Sequence, residues 1–144
     1  MISIVLVDEH DSIRKLAYES LTLEDGYRVI GEARNTKEAG DMLEIIQPEV
    51  LIADLFTNNP DSFELVRTAH QKYPEIKIIV WSVYIDEYYA IKAIEAGARG
   101  YVVKDSGIDT LKTAIREVML GHLFMGPPLS KHKLEKYRHI MRNL

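Results

Sequence analysis

Five side chains combine residue types and spacings that could do chemistry together. Asp8 and Glu9 follow the apolar run "ISIVLV" (2–7), and Asp54 closes a second run, "VLIAD" (50–54). Ser82 follows "IKIIVW" (76–81), and Lys104 follows "GYVV" (100–103). Carboxylates side by side repel, most strongly where water is scarce, so acids placed at the ends of buried segments call for a cation. Their oxygen donors suit Mg²⁺, a hard ion that retains waters. A Mg²⁺ site beside an ammonium and a hydroxyl is the equipment of phosphoryl transfer, which needs charge neutralised on the phosphoryl oxygens. A carboxylate can itself be the nucleophile, giving an acyl phosphate. Asp54 suits that role because it ends a central, rigid strand.

Each residue also has a plainer reading. Asp8 or Glu9 could cap a helix, Asp54 or Ser82 could open a turn, and a lone Lys104 could simply be solvated. What the plain readings leave unexplained is their joint occurrence at successive strand ends.

Those strand ends follow from the rest of the chain. Besides the four runs above, "YRVIGEA" (27–33) reads as a strand. Between the runs lie stretches of helical period. Ile13, Leu16, Ala17, Ser20 and Leu21 share one stripe, as do Ala39, Met42, Leu43 and Ile46. Phe63, Val66 and Ala69 form a third, Ala90, Ala93 and Ile94 a fourth, and Leu111, Ala114, Ile115, Val118 and Met119 a fifth. Asp11, Thr36, Asp61, Asp86 and Ser106 stand where helix N-caps belong. Five βα units in series predict an α/β fold, a doubly wound parallel sheet with helices on both faces. Ligands of such sheets bind at the carboxyl ends of the strands, where the five side chains converge.

The chain of 144 residues is long enough for one domain with a real core. It has no Cys, which excludes disulfides and thiolate chemistry. No stretch approaches a membrane span or a secretion signal, so a cytoplasmic protein is expected. A tail at 129–144 carries +4 against −8 for the remainder; an acidic body with a basic tail is not the pattern of a self-sufficient nucleic-acid binder. "GPPLS" (126–130) breaks the globular pattern, and a basic helix with Leu134, Tyr137, Ile140, Met141 and Leu144 on its apolar side is expected after it. The expected division is a domain at 1–122 and a linker with a short basic helix at 123–144.

The motifs "VLVDEHDSIR", "QPEVLIADL", "IKIIVWSV" and "AIEAGARGYVVKDS", with the spacing between them, resemble the receiver domains of two-component response regulators over about Ile2 to Gly121. "AGARGYVVKDS" is similar to the NarL/FixJ-type branch. The resemblance implies a flavodoxin-like five-stranded sheet of order 2-1-3-4-5. It makes Asp54 the phospho-acceptor, Asp8 and Glu9 the acidic pair serving Mg²⁺, and the backbone carbonyl of Phe56 a further metal ligand. It makes Ser82 the switch hydroxyl, Tyr101 the aromatic switch and Lys104 the cation that contacts phosphate. A sensor histidine kinase or small phosphodonor is the implied partner, with a homodimer through helices one and five or four and five as an expected assembly. DNA would be a partner only through a C-terminal helix-turn-helix, and no membrane is implied. Such a protein is not an enzyme beyond its own phosphotransfer and dephosphorylation.

Two positions depart from the family pattern. Glu9 is one methylene longer than the usual Asp, and the loop "LFTNNPDSFE" lacks the usual Pro-Gly pair and the Gly before the next helix. Both favour an alternative, a receiver-like interaction or dimerisation module that works without phosphate. An aspartyl phosphatase would carry a second Asp where Phe56 stands, and a flavin-phosphate loop would not tolerate Asp8 and Glu9.

Overall fold

Every apolar run read as a strand forms one, and the alternation of side chains along the strands builds two cores. A computed structural model of the protein describes residues 1–55 and 61–130, with 132 and 135 beyond them. Its strands are β1 (Ile2–Val7), β2 (Tyr27–Ala33), β3 (Val50–Ala53), β4 (Lys77–Ser82), β5 (Gly100–Val103) and β6 (Phe124–Met125). They form one sheet of order β2-β1-β3-β4-β5-β6, parallel throughout. The helices between them are α1 (Asp11–Thr22), α2 (Thr36–Ile45), α3 (Asp61–Lys72), α4 (Glu87–Ala96) and α5 (Ile108–Met119). The flavodoxin-like order 2-1-3-4-5 is the expected one.

On one face, Ile4, Leu6, Ile52, Ile79, Trp81 and Val102 pack against α1 and α5. Their neighbours Val5, Val7, Leu51, Val80, Tyr101 and Val103 pack against α2, α3 and α4 on the other. With both faces covered, all residues of β3 and β5 are buried. That is why these strands read as unbroken apolar runs rather than alternating ones. Burying each large aliphatic side chain contributes about 1.5–3 kcal/mol, so this two-sided core is the term that holds the strand ends in place.

Three local expectations are corrected. Leu16 is 52% exposed; the position that turns inward beside Ile13 is Arg14, which reaches the site described below. Helix α2 is capped by Asn35 rather than Thr36, its side chain accepting from the Glu38 N–H at 2.8 Å. The sheet has a sixth strand, in a stretch read as linker. Phe124 donates to the Arg99 carbonyl at 2.9 Å and Gly126 to the Tyr101 carbonyl at 2.8 Å. Met125 and Leu129 are buried in the core beside Tyr101, and the segment covers the β5 edge, which would otherwise expose unpaired backbone groups.

The basic helix expected in the tail lies, apart from His132 and Glu135, outside the described residues. No described helix is long and apolar enough to cross a membrane.

Candidate phospho-acceptor site

The two central strands deliver their acids to one place because the backbone ladder continues through them. The Asp8 N–H donates to the Ala33 carbonyl at 3.0 Å, and the Asp54 N–H to the Val7 carbonyl at 2.9 Å. Asp8 and Asp54 are thus pinned side by side at the sheet's carboxyl edge, 2% and 5% exposed. Lys104, the first residue past β5, lies between them. Its Nζ is 2.7 Å from Asp8 Oδ2 and 3.2 Å from Asp54 Oδ1, over the face of the Trp81 ring at 5.3 Å.

Two buried carboxylates against one ammonium leave a net negative charge in a dry place. Burial, and then the Asp8 charge, push the Asp54 carboxyl up from its ordinary value to about 6, against the pull of Lys104. At neutral pH Asp54 is therefore ionised yet more basic than a free carboxylate, which suits a nucleophile.

Ser82 ends β4 fully buried, its Oγ accepting from the Tyr84 N–H at 3.1 Å. Tyr101 is also fully buried, and its hydroxyl donates to the Tyr84 carbonyl at 2.8 Å. Burial pushes the Tyr101 phenol up, a rise that a hydrogen bond with Ser82 partly offsets. Ser82, Tyr84 and Tyr101 thus form one small network beside the carboxylates.

Of the residues singled out in the sequence, the structure gathers Asp8, Asp54 and Lys104, with Ser82 and Tyr101 at their side. Glu9 is exposed and is not in the group of donors that surrounds the site. Phe56 lies outside the described residues.

Three contributors were missed. His10 joins Asp8 and Asp54: each of the three offers a ligand atom, all within 4.8 Å of one another. Arg14 donates from Nη1 to the Asp8 carbonyl at 2.6 Å and pairs with Asp11 and Glu32 at 2.7 and 3.2 Å, fixing the loop that carries Asp8. Trp81 supplies the floor under Lys104. The signal for Arg14 was its place on the inward side of α1; His10 was visible only as a neighbour of the acids. Two carboxylates and an imidazole around one point are a donor set that fits a divalent cation.

This edge of the sheet can be compared with known proteins. Residues 4–116 match the family described as "Response regulator receiver domain". The chain belongs to that family. The receiver domain is 27% identical over 140 residues to the transcriptional regulatory protein DegU of Brevibacillus brevis, covering 97% of this chain and 59% of that one. It is 27% identical over 131 residues to the response regulator GacA of Pseudomonas aeruginosa, covering 91% and 61%. The chain thus spans about three fifths of the length of these curated relatives. A solved two-component response regulator of the LuxR family from Aurantimonas sp. SI85-9A1 superposes with a TM-score of 0.87 at 29% identity, over 96% of this receiver and 98% of that chain. The family resemblance and the sheet order expected from the sequence hold for this receiver.

Proposed function

We propose that this receiver is a Mg²⁺-dependent signalling switch whose Asp54 accepts a phosphoryl group. The observation that carries the reading is the buried pair Asp8 and Asp54 with Lys104 Nζ at 2.7 and 3.2 Å. An oxygen of the Asp54 carboxylate attacks the phosphorus of a histidine kinase or small phosphodonor in line. The P–O or P–N bond to the leaving group breaks, its electron pair departs with that group, and an acyl phosphate remains. Lys104, already seated at the acceptor, meets the negative charge of the transferred group's oxygens. Mg²⁺, held by Asp8 and Asp54 with Glu9 and the Phe56 carbonyl as the further donors that the family resemblance implies, would neutralise charge on the same oxygens. The Ser82 hydroxyl turns from Tyr101 toward the phosphoryl group, which loosens the Tyr101–Tyr84 contact and alters the surface of α4 and β5. A homodimer through α1 and α5 or through α4 and α5, a cytoplasmic setting, and DNA binding through a further helix-turn-helix domain belong to the same reading. Relatives named as transcriptional regulators support the last.

One observation favours the phosphate-independent alternative. Glu9, the second acid that the family resemblance assigns to Mg²⁺, stands outside the donor group formed by Asp8, His10 and Asp54. Amide resonances recorded with and without beryllofluoride in Mg²⁺ decide between the two. The switch reading expects shifts at Asp54, Ser82 and Tyr101 that the Asp54→Asn variant lacks. An unresponsive parent spectrum leaves the alternative.

A further inference from the structure

The proposed site has a donor that a Mg²⁺ pocket does not need. Resting on the reading of this edge as a cation site, we propose that His10 is a nitrogen ligand and shifts the site's preference from Mg²⁺ toward imidazole-accepting first-row ions, with Asp8 and Asp54 supplying the oxygens.

The geometry assembles that set without rearranging the fold. The ligand atoms of Asp8, His10 and Asp54 lie within 4.8 Å of one another. An ion bound at about 2.1 Å spans cis donors about 3 Å apart, so small side-chain rotations bring all three onto one ion. The His10 side chain, 60% exposed, has room for them, while the ladder holds the backbone of Asp8 and Asp54 and Lys104 holds their carboxylates. The two oxygens of Asp8 are already divided: Oδ2 meets Lys104 at 2.7 Å, and Oδ1 faces His10, whose N–H lies at 2.9 Å and Nδ1 at 3.3 Å. A cation on the Oδ1 side leaves the Lys104 contact in place.

The local structure of α1 points the same way independently. His10 is the N-cap, a position where Ser, Thr, Asp or Asn normally satisfies the first-turn N–H groups. Here no side-chain cap bond forms, and the ring turns to Asp8 instead. Glu9, the oxygen donor expected from the sequence, is not in the group of donors that lie within 4.8 Å of one another. The third side-chain donor of this site is therefore a nitrogen. Carboxylates suit Mg²⁺ and Mn²⁺, while imidazole suits Fe, Ni, Cu and Zn and gains along the Irving–Williams order. Because later metals bind any N/O site better, His10's own contribution is the quantity to measure.

Co²⁺ and Mg²⁺ are titrated separately into the whole chain, with bound metal read by equilibrium dialysis and by emission of Trp81, the single tryptophan, which lies under Lys104. His10→Ala is expected to weaken Co²⁺ binding by about tenfold or more and to leave Mg²⁺ within about twofold. Asp8→Asn removes both from the site, which separates it from His70, His122, His132 and His139 elsewhere in the chain. A His10→Ala variant that loses neither ion, or both equally, overturns the proposal, as does a parent that binds no Co²⁺ sensitive to Asp8→Asn. The phospho-acceptor reading fails separately. A parent that binds Co²⁺ through His10 but forms no beryllofluoride adduct at Asp54 loses that reading alone, while an adduct with no His10 effect loses only this one.

Discussion

Removing the Asp54 charge should stabilise the protein, and the pH dependence of the gain follows from where that charge sits. The Asp54 carboxyl is raised from 3.8 to about 6, chiefly by burial and then by Asp8. A shift of about two units corresponds to about 3 kcal/mol between the charged and neutral forms. The raised value means that the folded protein keeps a proton that the unfolded chain has lost. Stability therefore falls as pH rises from about 4 to about 6, and the deficit is fully present above that window. Asn in place of Asp54 cannot ionise, and Lys104 keeps its partner Asp8 at 2.7 Å. Asp54→Asn should thus be more stable than the parent by about 3 kcal/mol at pH 8, a rise in Tm of roughly 10 °C for a chain of this size. The advantage should shrink toward zero near pH 4. The assay is urea unfolding of both proteins in EDTA at several pH values, followed by Trp81 emission and far-UV circular dichroism. An Asn variant no more stable than the parent at pH 8 would refute the reasoning. So would an advantage of equal size at pH 4.5 and pH 8, because it would not come from ionisation.

Lys104→Met should cost about 3–5 kcal/mol at pH 8, since it leaves two buried carboxylates without their cation; chemical unfolding at pH 8 and pH 5 should show the loss easing in acid as Asp54 takes up a proton. The Trp81 indole N–H is buried with no hydrogen-bond partner among the described residues, so Trp81→Phe should leave the unfolding free energy within about 1 kcal/mol of the parent or raise it. Trp81→Ala should cost about 3–5 kcal/mol, with circular dichroism as the probe for both. Leu129→Ala should cost about 2–4 kcal/mol and speed amide exchange at Gly126, because Leu129 is buried where β6 covers the β5 edge; Leu120→Ala, at a 71% exposed position, should do neither.

Much of this architecture was legible because its strands are buried on both faces. "VLIA" and "GYVV" could be nothing but apolar, and an acid placed directly after such a run is conspicuous. Asp8, Asp54, Ser82 and Lys104 were found in this way, by type and by position at strand ends. Phe124 and Met125 were not, because a two-residue strand beside Gly and Pro has no period to read. Its pairing is with β5, more than twenty residues upstream. His10 was passed over because the sequence groups Asp8 with Glu9 by charge, whereas the backbone buries the first and exposes the second. The stripe read on α1 took in Leu16 and left out Arg14, although Arg14 stands three and seven residues before the buried Ala17 and Leu21; a cation there was not expected inside, and its guanidinium finds acceptors at Asp8, Asp11 and Glu32 that offset its burial. The inward Tyr101 is a rotamer held by its bond to Tyr84, a feature that no spacing encodes.

The central claim is that Asp54 is a nucleophile toward phosphorus. The protein is incubated with acetyl phosphate and Mg²⁺, digested at acidic pH where acyl phosphates survive, and mapped by mass spectrometry beside Asp54→Asn and a sample in EDTA. The account predicts one phosphoryl group on the parent, carried by the peptide that contains Asp54, and none on the variant or without the metal. A parent that stays unmodified, or a variant modified to the same extent, would contradict it.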